Sequence, residues 1–325
     1  MATNKSKHLE NVLESHRIKK EKDLLDKHTA KRDTIKEEME EHFGSNMYPP
    51  FNSGSLAKNT AVNTKFDIDL MSPFKRNAFG SSGTLKDMYD AVYKFLHDKY
   101  HGKEAIVRKQ KVSVGIEFYP DADGHVVRVD VVPGRELNQD EYKDDKRLNL
   151  YVYEQFGKIG AGADHLRSNI HAQIDHIKDR ATKEKDSIRK IIRLLKTWKI
   201  NKGSGPKSFF LELITIKAFD TLDITGDLWE KLKAVMEYIR DNVKDVSLPD
   251  PGNSGNDVAD TMSDADKTNL SNDMKYMIDR IEEDSDNIKL YFKVNPKHPC
   301  EDDAEESTYK IKKEGVSEPP PARFG

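Results

Sequence analysis

Cysteine, long apolar runs and an excess of basic charge are all missing or scarce in this sequence. The single cysteine among 325 residues, Cys300, excludes an internal disulfide framework and a cysteine-rich zinc site. No stretch approaches the roughly 20 apolar residues of a membrane-spanning helix, and the charged first residues predict no signal peptide. A formal net charge of −3 argues against binding a nucleic-acid polymer, which needs a predominantly basic surface. We therefore expect a cytoplasmic protein with no membrane and no dominant nucleic-acid partner.

The first part of the chain predicts one long helix. Residues 7–43 contain neither glycine nor proline, and their apolar side chains recur at loosely helical spacing. Such a stripe indicates a solvated helix packed along one face or, alternatively, a coiled-coil dimerisation helix. We favour the first interpretation and expect a monomer. Gly44 and the pair Pro49-Pro50 predict where the helix ends.

The middle of the chain predicts a sheet. Residues 66–70 and 111–118 alternate between apolar and polar side chains, as in strands with one buried face. A turn-rich segment joins the second strand to the valine-rich run 126–132, which predicts a β-hairpin. Between the strands, residues 85–99 show the apolar spacing of a helix.

The remainder predicts helices. The pattern is helical from about residue 163 to 245, and a last helix is expected at 273–285. A loop rich in proline, glycine, asparagine and aspartate separates them at 248–255.

Three aspartates occupy positions where the strand pattern predicts core. Asp67 and Asp69 are two residues apart, so they share a strand face, about 7 Å from each other. Asp130 interrupts a run of five valines, where an unpaired charge is costly. Three carboxylates on adjacent strands can hold two Mg²⁺ or Mn²⁺ ions. The alternative is that these aspartates begin turns or pair with lysines at the surface.

A Gly-Ser pair lies a dozen residues upstream of these aspartates. Gly54-Ser55 precedes a short helix that we predict to start at Leu56. Glycine lets a phosphate approach the backbone closely, and the serine hydroxyl can donate a hydrogen bond to it. The sequence thus places a phosphate-binding turn beside the predicted metal ligands.

In this order and spacing, the motifs resemble those of the DNA polymerase β-like nucleotidyltransferases. Gly54-Ser55, Asp67-Ile68-Asp69 and residues 129–134 carry this resemblance. Residues 193–199 and 207–212 further resemble the helical-lobe signature of the bacterial cyclic-oligonucleotide synthases of anti-phage (CBASS) defence. Those synthases are relatives of cyclic GMP-AMP synthase and oligoadenylate synthase. The resemblance covers roughly residues 47–290.

The resemblance implies a fold and a set of site residues. It implies a two-lobed α+β enzyme in which a mixed nucleotidyltransferase sheet carries the catalytic, metal-binding aspartates and a helical lobe covers the nucleotides. It also implies that Gly54 and Ser55 contact the triphosphate, that Lys196 and Ser208 reach its phosphates, and that Asn256 lies near the base. From the residues alone, Lys196 could instead extend along its helix and Ser208 could cap the next one.

The sequence pattern and the resemblance together predict a division of the chain into four parts. We expect an N-terminal bracing helix at 1–45, the nucleotidyltransferase core at 46–160, the helical lobe at 161–298 and a disordered tail at 299–325.

The implied activity is the joining of triphosphates such as ATP and GTP into a cyclic di- or trinucleotide, with release of pyrophosphate. The alternatives are a synthase of linear oligonucleotides, a transferase that modifies a protein or RNA, and an inactive nucleotide-binding sensor. The animal DNA-sensing enzyme carries a zinc element with several cysteines, which one cysteine cannot build. We therefore do not expect activation by double-stranded DNA through such an element.

The end of the chain suggests a conjugation handle. After an acidic run at 301–306, the sequence finishes in three prolines and Gly325, as in an extended tail. Some bacterial cyclases similar to this chain are joined through their C-termini to other proteins by a ligase of the ubiquitin-activating type, and Gly325 fits such chemistry. The alternative is an ordinary frayed terminus.

Overall fold

The structure is a computed structural model that describes residues 2–64, 67–156 and 165–299. Within these ranges the chain is an α+β protein with one mixed sheet and a large set of helices, which confirms the predicted fold class. No helix of the described ranges is both long enough and apolar enough to cross a membrane. The tail hypothesis, including Gly325, concerns residues outside these ranges.

The described strands form one seven-stranded sheet and a small hairpin. The sheet order is β1-β2-β5-β4-β3, and β6 pairs with both β5 and β7. Only β2 and β5 are parallel among the pairs of this sheet in the described ranges. The strands are β1 (Phe51–Ser53), β2 (Ile68–Phe74), β3 (Ala105–Lys109), β4 (Val114–Phe118), β5 (Arg128–Glu136), β6 (Leu148–Tyr151), β7 (His165–Ser168) and the hairpin of β8 (Pro249–Asp250) and β9 (Asn253–Asp257).

Helices flank the sheet and form most of the second half of the chain. Several begin with a side-chain cap, such as Thr84 and Asp87, which form a capping box at the start of α4. The helices are α1 (Lys5–Ser15), α2 (Lys22–Phe43), α3 (Gly54–Ala57), α4 (Leu85–Tyr100), α5 (Tyr142–Asp145), α6 (Ile170–Lys178), α7 (Thr182–Lys202), α8 (Ser208–Thr221), α9 (Leu228–Asn242), α10 (Asp264–Glu283) and α11 (Ile288–Tyr291).

Two large hydrophobic cores hold these elements. One lies between the sheet and the helices α2 and α4, and it includes Ile35, Met39 and Leu96. The other lies among α1 and α7 to α10, around Trp198 and Phe210. The N-terminal segment contributes to both cores, because α1 packs with the helices and α2 packs on the sheet. Each fully buried aliphatic side chain contributes about 1.5–3 kcal/mol.

The predicted single helix over 7–43 is wrong, because the chain breaks at His16. The Ser15 hydroxyl and the His16 ring both bond to the carbonyl of Val12, and a 3₁₀ turn at residues 18–21 follows. Asn63 then donates hydrogen bonds to the carbonyls of both Ser15 and His16. These carbonyls therefore accept from a distant residue instead of from the next turn of a helix. Local polar contacts therefore split the apolar stripe into two helices in different cores.

Further boundaries differ from the sequence prediction. The helix predicted from Leu56 is the single turn α3, which already starts at Gly54. The helical region begins at Ile170, because residues 165–168 join the sheet, and the loop over 248–255 contains the β8–β9 hairpin. The helix predicted at 273–285 is α10, which starts at Asp264, since Ser263 and Asp266 form a capping box. The strand predicted over 111–118 starts at Val114.

Candidate active site

A cleft of about 710 Å³ lies between the sheet and the helical half of the chain. Such a volume suits a small ligand the size of a nucleotide. Its described lining combines two carboxylates before and within β2, the turn around α3, and polar side chains from α6, α7 and α8. These side chains and backbone segments belong to Gly54, Ser55, Lys58, Thr60, Ala61, Val62, Asp67, Asp69, Gln173, Lys196, Lys199, Ile200, Gly203, Ser204, Gly205, Ser208, Phe209 and Glu212.

The sheet places two of the predicted aspartates side by side. β2 and β5 pair in parallel with Asp69 directly opposite Asp130. Neighbouring strands lie about 4.8 Å apart and paired residues point to the same face. Asp67 immediately precedes β2, and its charge acts on both other carboxyls. The structure therefore pairs Asp69 with Asp130 and places Asp67 near enough for its charge to act on both.

Two glycines leave room for these carboxylates. Gly54 has a φ of +65°, and a Cβ atom there would overlap the Asp69 carboxylate. Gly115 lies opposite Asp130 in the β4–β5 ladder, and a Cβ there would collide with the side chain of Gln110. Gln110 Nε2 donates to Asp130 Oδ1 over 3.1 Å. Glycine at these two positions is thus a steric requirement of the aspartate pair.

The aspartate pair is electrostatically costly by itself. Burial raises the pKa of Asp69 to about 6, and the Asp67 carboxylate raises it as well. Burial also raises the pKa of Asp130 to about 7, helped by the negative charges of Asp69 and Asp67. Crowded carboxylates with raised pKa values are the donor set and charge that Mg²⁺ or Mn²⁺ would match. The residues present therefore fit the predicted metal.

A second group of possible metal ligands lies on the turn between β4 and β5. Asp121, Asp123 and His125 have ligand atoms within 4.8 Å of one another, and no other trio in the described ranges is so tight. Lys27 Nζ lies 2.6 Å from Asp121 Oδ2 and 3.0 Å from Asp123 Oδ2. The lysine lowers the pKa of Asp121 to about 2. An ammonium group thus already balances this exposed cluster, whereas the described residues provide no lysine contact of this kind at Asp130.

The helical wall of the cleft contributes a buried lysine. Lys196 on α7 is 6% exposed, and its ammonium donates to the carbonyl and hydroxyl of Thr60 over 3.0 and 2.9 Å. Burial lowers the pKa of Lys196 to about 8, while the Glu212 carboxylate acts in the opposite direction. A lysine ammonium has three N–H groups, so one remains for an anion in the cleft.

An ion pair that the sequence did not predict joins the sheet side of the cleft to α8. Lys58 Nζ lies 2.6 Å from Glu212 Oε1, and both side chains are buried. The same ammonium lies 4.5 Å from the ring centre of Phe209. Arg189 on α7 donates to the carbonyl of Lys58 over 3.1 Å. These contacts fix the turn after α3 against the helices.

The other predicted nucleotide-binding residues are placed unevenly. Ser55 and Ser208 both line the cleft, and Ser208 begins α8 with its hydroxyl 3.4 Å from Lys199 Nζ. Asn256 lies on β9, and the described lining of the cleft does not include it. Gln173, which the sequence analysis did not single out, does line the cleft. A polar residue on a short helix gave no sequence signal for this placement.

Comparison with known proteins places this geometry in context. No protein-family model and no curated protein matches the sequence. CdnC of E. coli MS115-1 is 22% identical to this chain, with a TM-score of 0.65 over 85% of this chain and 91% of CdnC. Vibrio cholerae DncV, a cyclic AMP-GMP synthase, is 17% identical, with a TM-score of 0.58 over 76% and 69% of the two chains. Elizabethkingia meningoseptica CdnE, a cyclic dinucleotide synthase, is 14% identical, with a TM-score of 0.56 over 75% and 89%.

The chain has the fold of these synthases. This confirms the fold that the sequence motifs imply, that of the cGAS-like cyclic-oligonucleotide synthases. At such low sequence identities the likeness concerns the fold, and the roles of individual residues must be argued from the cleft.

Replacing Asp130 with asparagine is expected to stabilise the metal-free protein at pH 8. A carboxyl whose pKa is higher in the folded state opposes folding once it is ionised, so its removal should raise the free energy of unfolding. We expect on the order of 1–3 kcal/mol, after allowing for partial exposure. The gain should vanish as the pH falls from about 7 toward 4, since the wild-type carboxyl then becomes protonated. Urea unfolding at several pH values measures the difference.

The exposed carboxylate of Asp123 provides the matched control for this experiment. Asp123→Asn should show neither the gain at pH 8 nor its loss at low pH. Mg²⁺ should stabilise the wild type and Asp123→Asn, but Asp130→Asn much less. An Asp130→Asn variant that is no more stable than the wild type at pH 8 would contradict the electrostatic assignment.

Lys196→Met should change the dependence of stability on alkaline pH. The pKa of this lysine falls from 10.5 in its ordinary state to about 8 in the fold. Between these values the unfolded chain binds more protons, so the wild type gains stability relative to the variant as the pH rises. The full gain is on the order of 3 kcal/mol. Paired unfolding curves at pH 7.5 and 10 test this, with Lys183→Met, an exposed position on the same helix, as control. Parallel pH profiles for the wild type and Lys196→Met would refute it.

Proposed function

We propose that this chain is a metal-dependent nucleotidyltransferase that joins nucleoside triphosphates into a cyclic di- or trinucleotide second messenger for anti-phage signalling. The observation that carries the proposal is the pairing of Asp69 with Asp130 on adjacent parallel strands. Asp69 itself lines the cleft together with Gly54 and Ser55. Buried, crowded carboxylates facing a lysine are costly for folding, yet they suit the transfer of a phosphoryl-type group.

The division of the chain into working parts belongs to the same proposal. The described residues of 46–160 would form the nucleotidyltransferase core, to which the pairing of β7 adds residues 165–168. Residues 169–298 would form a helical lobe that covers the nucleotides. The segment 1–45 braces both parts, since α1 packs with the helices and α2 packs on the sheet.

Solved relatives support triphosphates as the substrates. CdnC was solved with ATP, and CdnE with GTP and Apcpp. DncV was solved with the linear intermediate 5′ pppA(3′,5′)pG. CdnC was also solved in a complex with HORMA-deltaN, and by the same likeness this chain would bind a protein partner. By likeness of fold, the cleft here would hold nucleotides of the same class.

The phosphates would bind between α3 and the helical wall. Ser55 can donate its hydroxyl from one side, and the third N–H of Lys196 can donate from the other. Lys199 and Ser208 add a cation and a hydroxyl at the same wall. This assignment places the positive groups of α7 opposite the aspartates, so a triphosphate would lie across the cleft between them.

The aspartates would serve the chemical step. Bound at Asp67, Asp69 and Asp130, Mg²⁺ or Mn²⁺ ions would supply positive charge to the triphosphate and increase the acidity of the attacking hydroxyl. The Asp130 carboxylate orients a ribose hydroxyl of one nucleotide and accepts its proton. The hydroxyl oxygen forms a bond to the α-phosphorus of the other nucleotide, the bond to the bridging oxygen breaks in line, and pyrophosphate leaves. A second attack of the same kind closes the ring.

Mass spectrometry of products from all four triphosphates tests the cyclic nature of the product. Incubation with Mg²⁺ or Mn²⁺ should give a phosphatase-resistant product whose mass lacks one water relative to the linear form with a terminal monophosphate. A phosphatase-sensitive oligomer would instead indicate a linear synthase, and the absence of pyrophosphate release would indicate a sensor.

Asp67→Ala, Asp69→Ala and Asp130→Ala should each abolish synthesis without unfolding the protein. Each variant removes one ligand of the proposed metal site, and we expect a rate loss of about 10³-fold or more. Pyrophosphate release and circular dichroism together measure the effect. Asp123→Ala, which alters the surface cluster, should keep wild-type activity. A double variant of Asp67 and Asp69 that retains the wild-type rate would refute the metal assignment.

Lys196→Ala and Ser208→Ala should weaken nucleotide binding more than the chemical step. Both side chains are assigned to phosphates rather than to the reacting atoms, so their loss should raise KM with a smaller change in kcat. Steady-state kinetics of pyrophosphate release measure both constants. If KM is unchanged in both variants, Lys196 is only a structural partner of Thr60, and Ser208 only starts its helix.

A further inference from the structure

Gln173 is the only side chain of α6 that the described lining of the cleft includes. The same lining includes Asp67 and Asp69 and, on α7, Lys196 and Lys199. No step of the proposed reaction uses this glutamine, and neither the motifs nor the comparisons assign it a role.

The amide of Gln173 is held in one orientation by a buried aspartate. Its Nε2 lies 2.8 Å from Asp250 Oδ1 and 3.0 Å from Asp250 Oδ2. A carboxylate only accepts hydrogen bonds, so the nitrogen of the amide must face Asp250. The carbonyl oxygen, Oε1, therefore points the other way, and no described residue donates a hydrogen bond to it.

The loop that carries Asp250 is itself firmly positioned. Gly252 donates its N–H to Asp250 Oδ1 over 2.7 Å, and its carbonyl accepts from the N–H of Asn169 over 2.8 Å. A Cβ atom on Gly252 would lie 2.7 Å from the Asn169 carbonyl oxygen, which is closer than real side chains come. Asn169 caps α6, four residues before Gln173. The aspartate and the glutamine are thus locked together through one tight loop-to-helix contact.

The burial of the Asp250 carboxylate is energetically unfavourable, more so than a contact that only stabilises the fold would require. Asp250 is 3% exposed. In the described ranges its carboxylate accepts hydrogen bonds from Gln173 and Gly252, and no ion pair to it is found. Burying a carboxylate without a cation is unfavourable, and an asparagine could make similar bonds at lower cost. A carboxylate, however, enforces what an asparagine would not, namely that the glutamine shows only its oxygen to the cleft.

An uncharged oxygen that accepts hydrogen bonds restricts what can lie against it. A phosphate offers only acceptor oxygens and would be repelled, so the phosphates belong at the lysines of α7. A nucleobase can instead offer an amino group. The bases differ at the 6-position of the purines and the 4-position of the pyrimidines. There, adenine and cytosine carry an amino group that donates a hydrogen bond, whereas guanine and uracil carry a carbonyl oxygen that accepts one.

We propose that Gln173 is a specificity-determining residue that accepts a hydrogen bond from the 6-amino group of adenine or the 4-amino group of cytosine, with Asp250 fixing its orientation. This inference rests on the proposed function and specifies which bases one nucleotide position of the cleft selects. Guanine and uracil are disfavoured there, because their carbonyl would face the carbonyl of the glutamine.

The test compares ATP with ITP, which carries a carbonyl in place of the 6-amino group. Titration calorimetry with the α,β-methylene analogues of ATP and ITP measures binding without turnover. Steady-state kinetics of pyrophosphate release then give KM and kcat for ATP and ITP themselves. The wild type should prefer the adenine nucleotide by about tenfold or more, mainly in Kd and KM. Gln173→Met should reduce this preference to within about twofold.

Asp250→Asn is the sharper variant, since it leaves Gln173 in place. The asparagine amide can donate to Gln173 Oε1, which frees the glutamine to turn its N–H₂ toward the cleft. Binding of the inosine analogue should therefore improve while binding of the adenine analogue weakens. Gln155→Met, at an exposed glutamine outside the cleft, should keep the wild-type preference.

Several results would overturn the assignment. Equal binding of both analogues by an active wild type, or an undiminished preference in Gln173→Met, would refute it and leave the proposed function intact. A loss in Gln173→Met of discrimination against 3′-deoxy-ATP, rather than against ITP, would show that the oxygen reads the ribose. Absence of any triphosphate binding by the wild type would refute the proposed function and this inference together.

Discussion

The parallel pairing of β2 with β5 is the constraint on which the candidate site depends. It is the one parallel pair of strands in the described part of this sheet, and its register sets Asp69 against Asp130. A slip of one residue would turn one carboxylate into the core and a valine into the cleft. The glycines at 54 and 115 serve this arrangement, because Gly54 makes room for the Asp69 carboxylate and Gly115 for Gln110, which donates to Asp130.

The cleft concentrates charges whose burial the fold must offset elsewhere. Burial opposes the ionised forms of Asp69 and Asp130 and also the ionised form of Lys196. The opposite signs compensate in part, since Lys58 and Lys196 act on Asp69 to lower its pKa. The burial of apolar side chains in two large cores, one on each side of the cleft, offsets the remaining unfavourable free energy of these buried charges. Buried and crowded charges of this kind are typical of sites that bind a charged ligand.

How much of the structure the sequence could predict depended on how far apart in the chain the interacting residues lie. The alternation around Asp69 and the valine run around Asp130 predicted strands and a site, because strand periodicity and a misplaced charge are local signals. The short strands β3, β6 and β7 were missed, since their pattern makes sense only against a partner. The same holds for the buried pair of Lys58 with Glu212, which are 154 residues apart. The break at His16 was also missed, because Asn63 binds the chain there from a distant segment.

Several of the hydrogen bonds that hold residues 58–63 in place are made to or from their main chain. Arg189 and Lys196 bond to the carbonyls of Lys58 and Thr60, and Asn63 donates its own N–H to the carbonyl of His16. A hydrogen bond to a peptide group does not depend on which side chain that residue carries. These main-chain hydrogen bonds can therefore persist when the side chains of the accepting residues change over evolutionary time. This tolerance helps to explain how a fold can be shared with synthases that match the sequence at no more than 22% of positions.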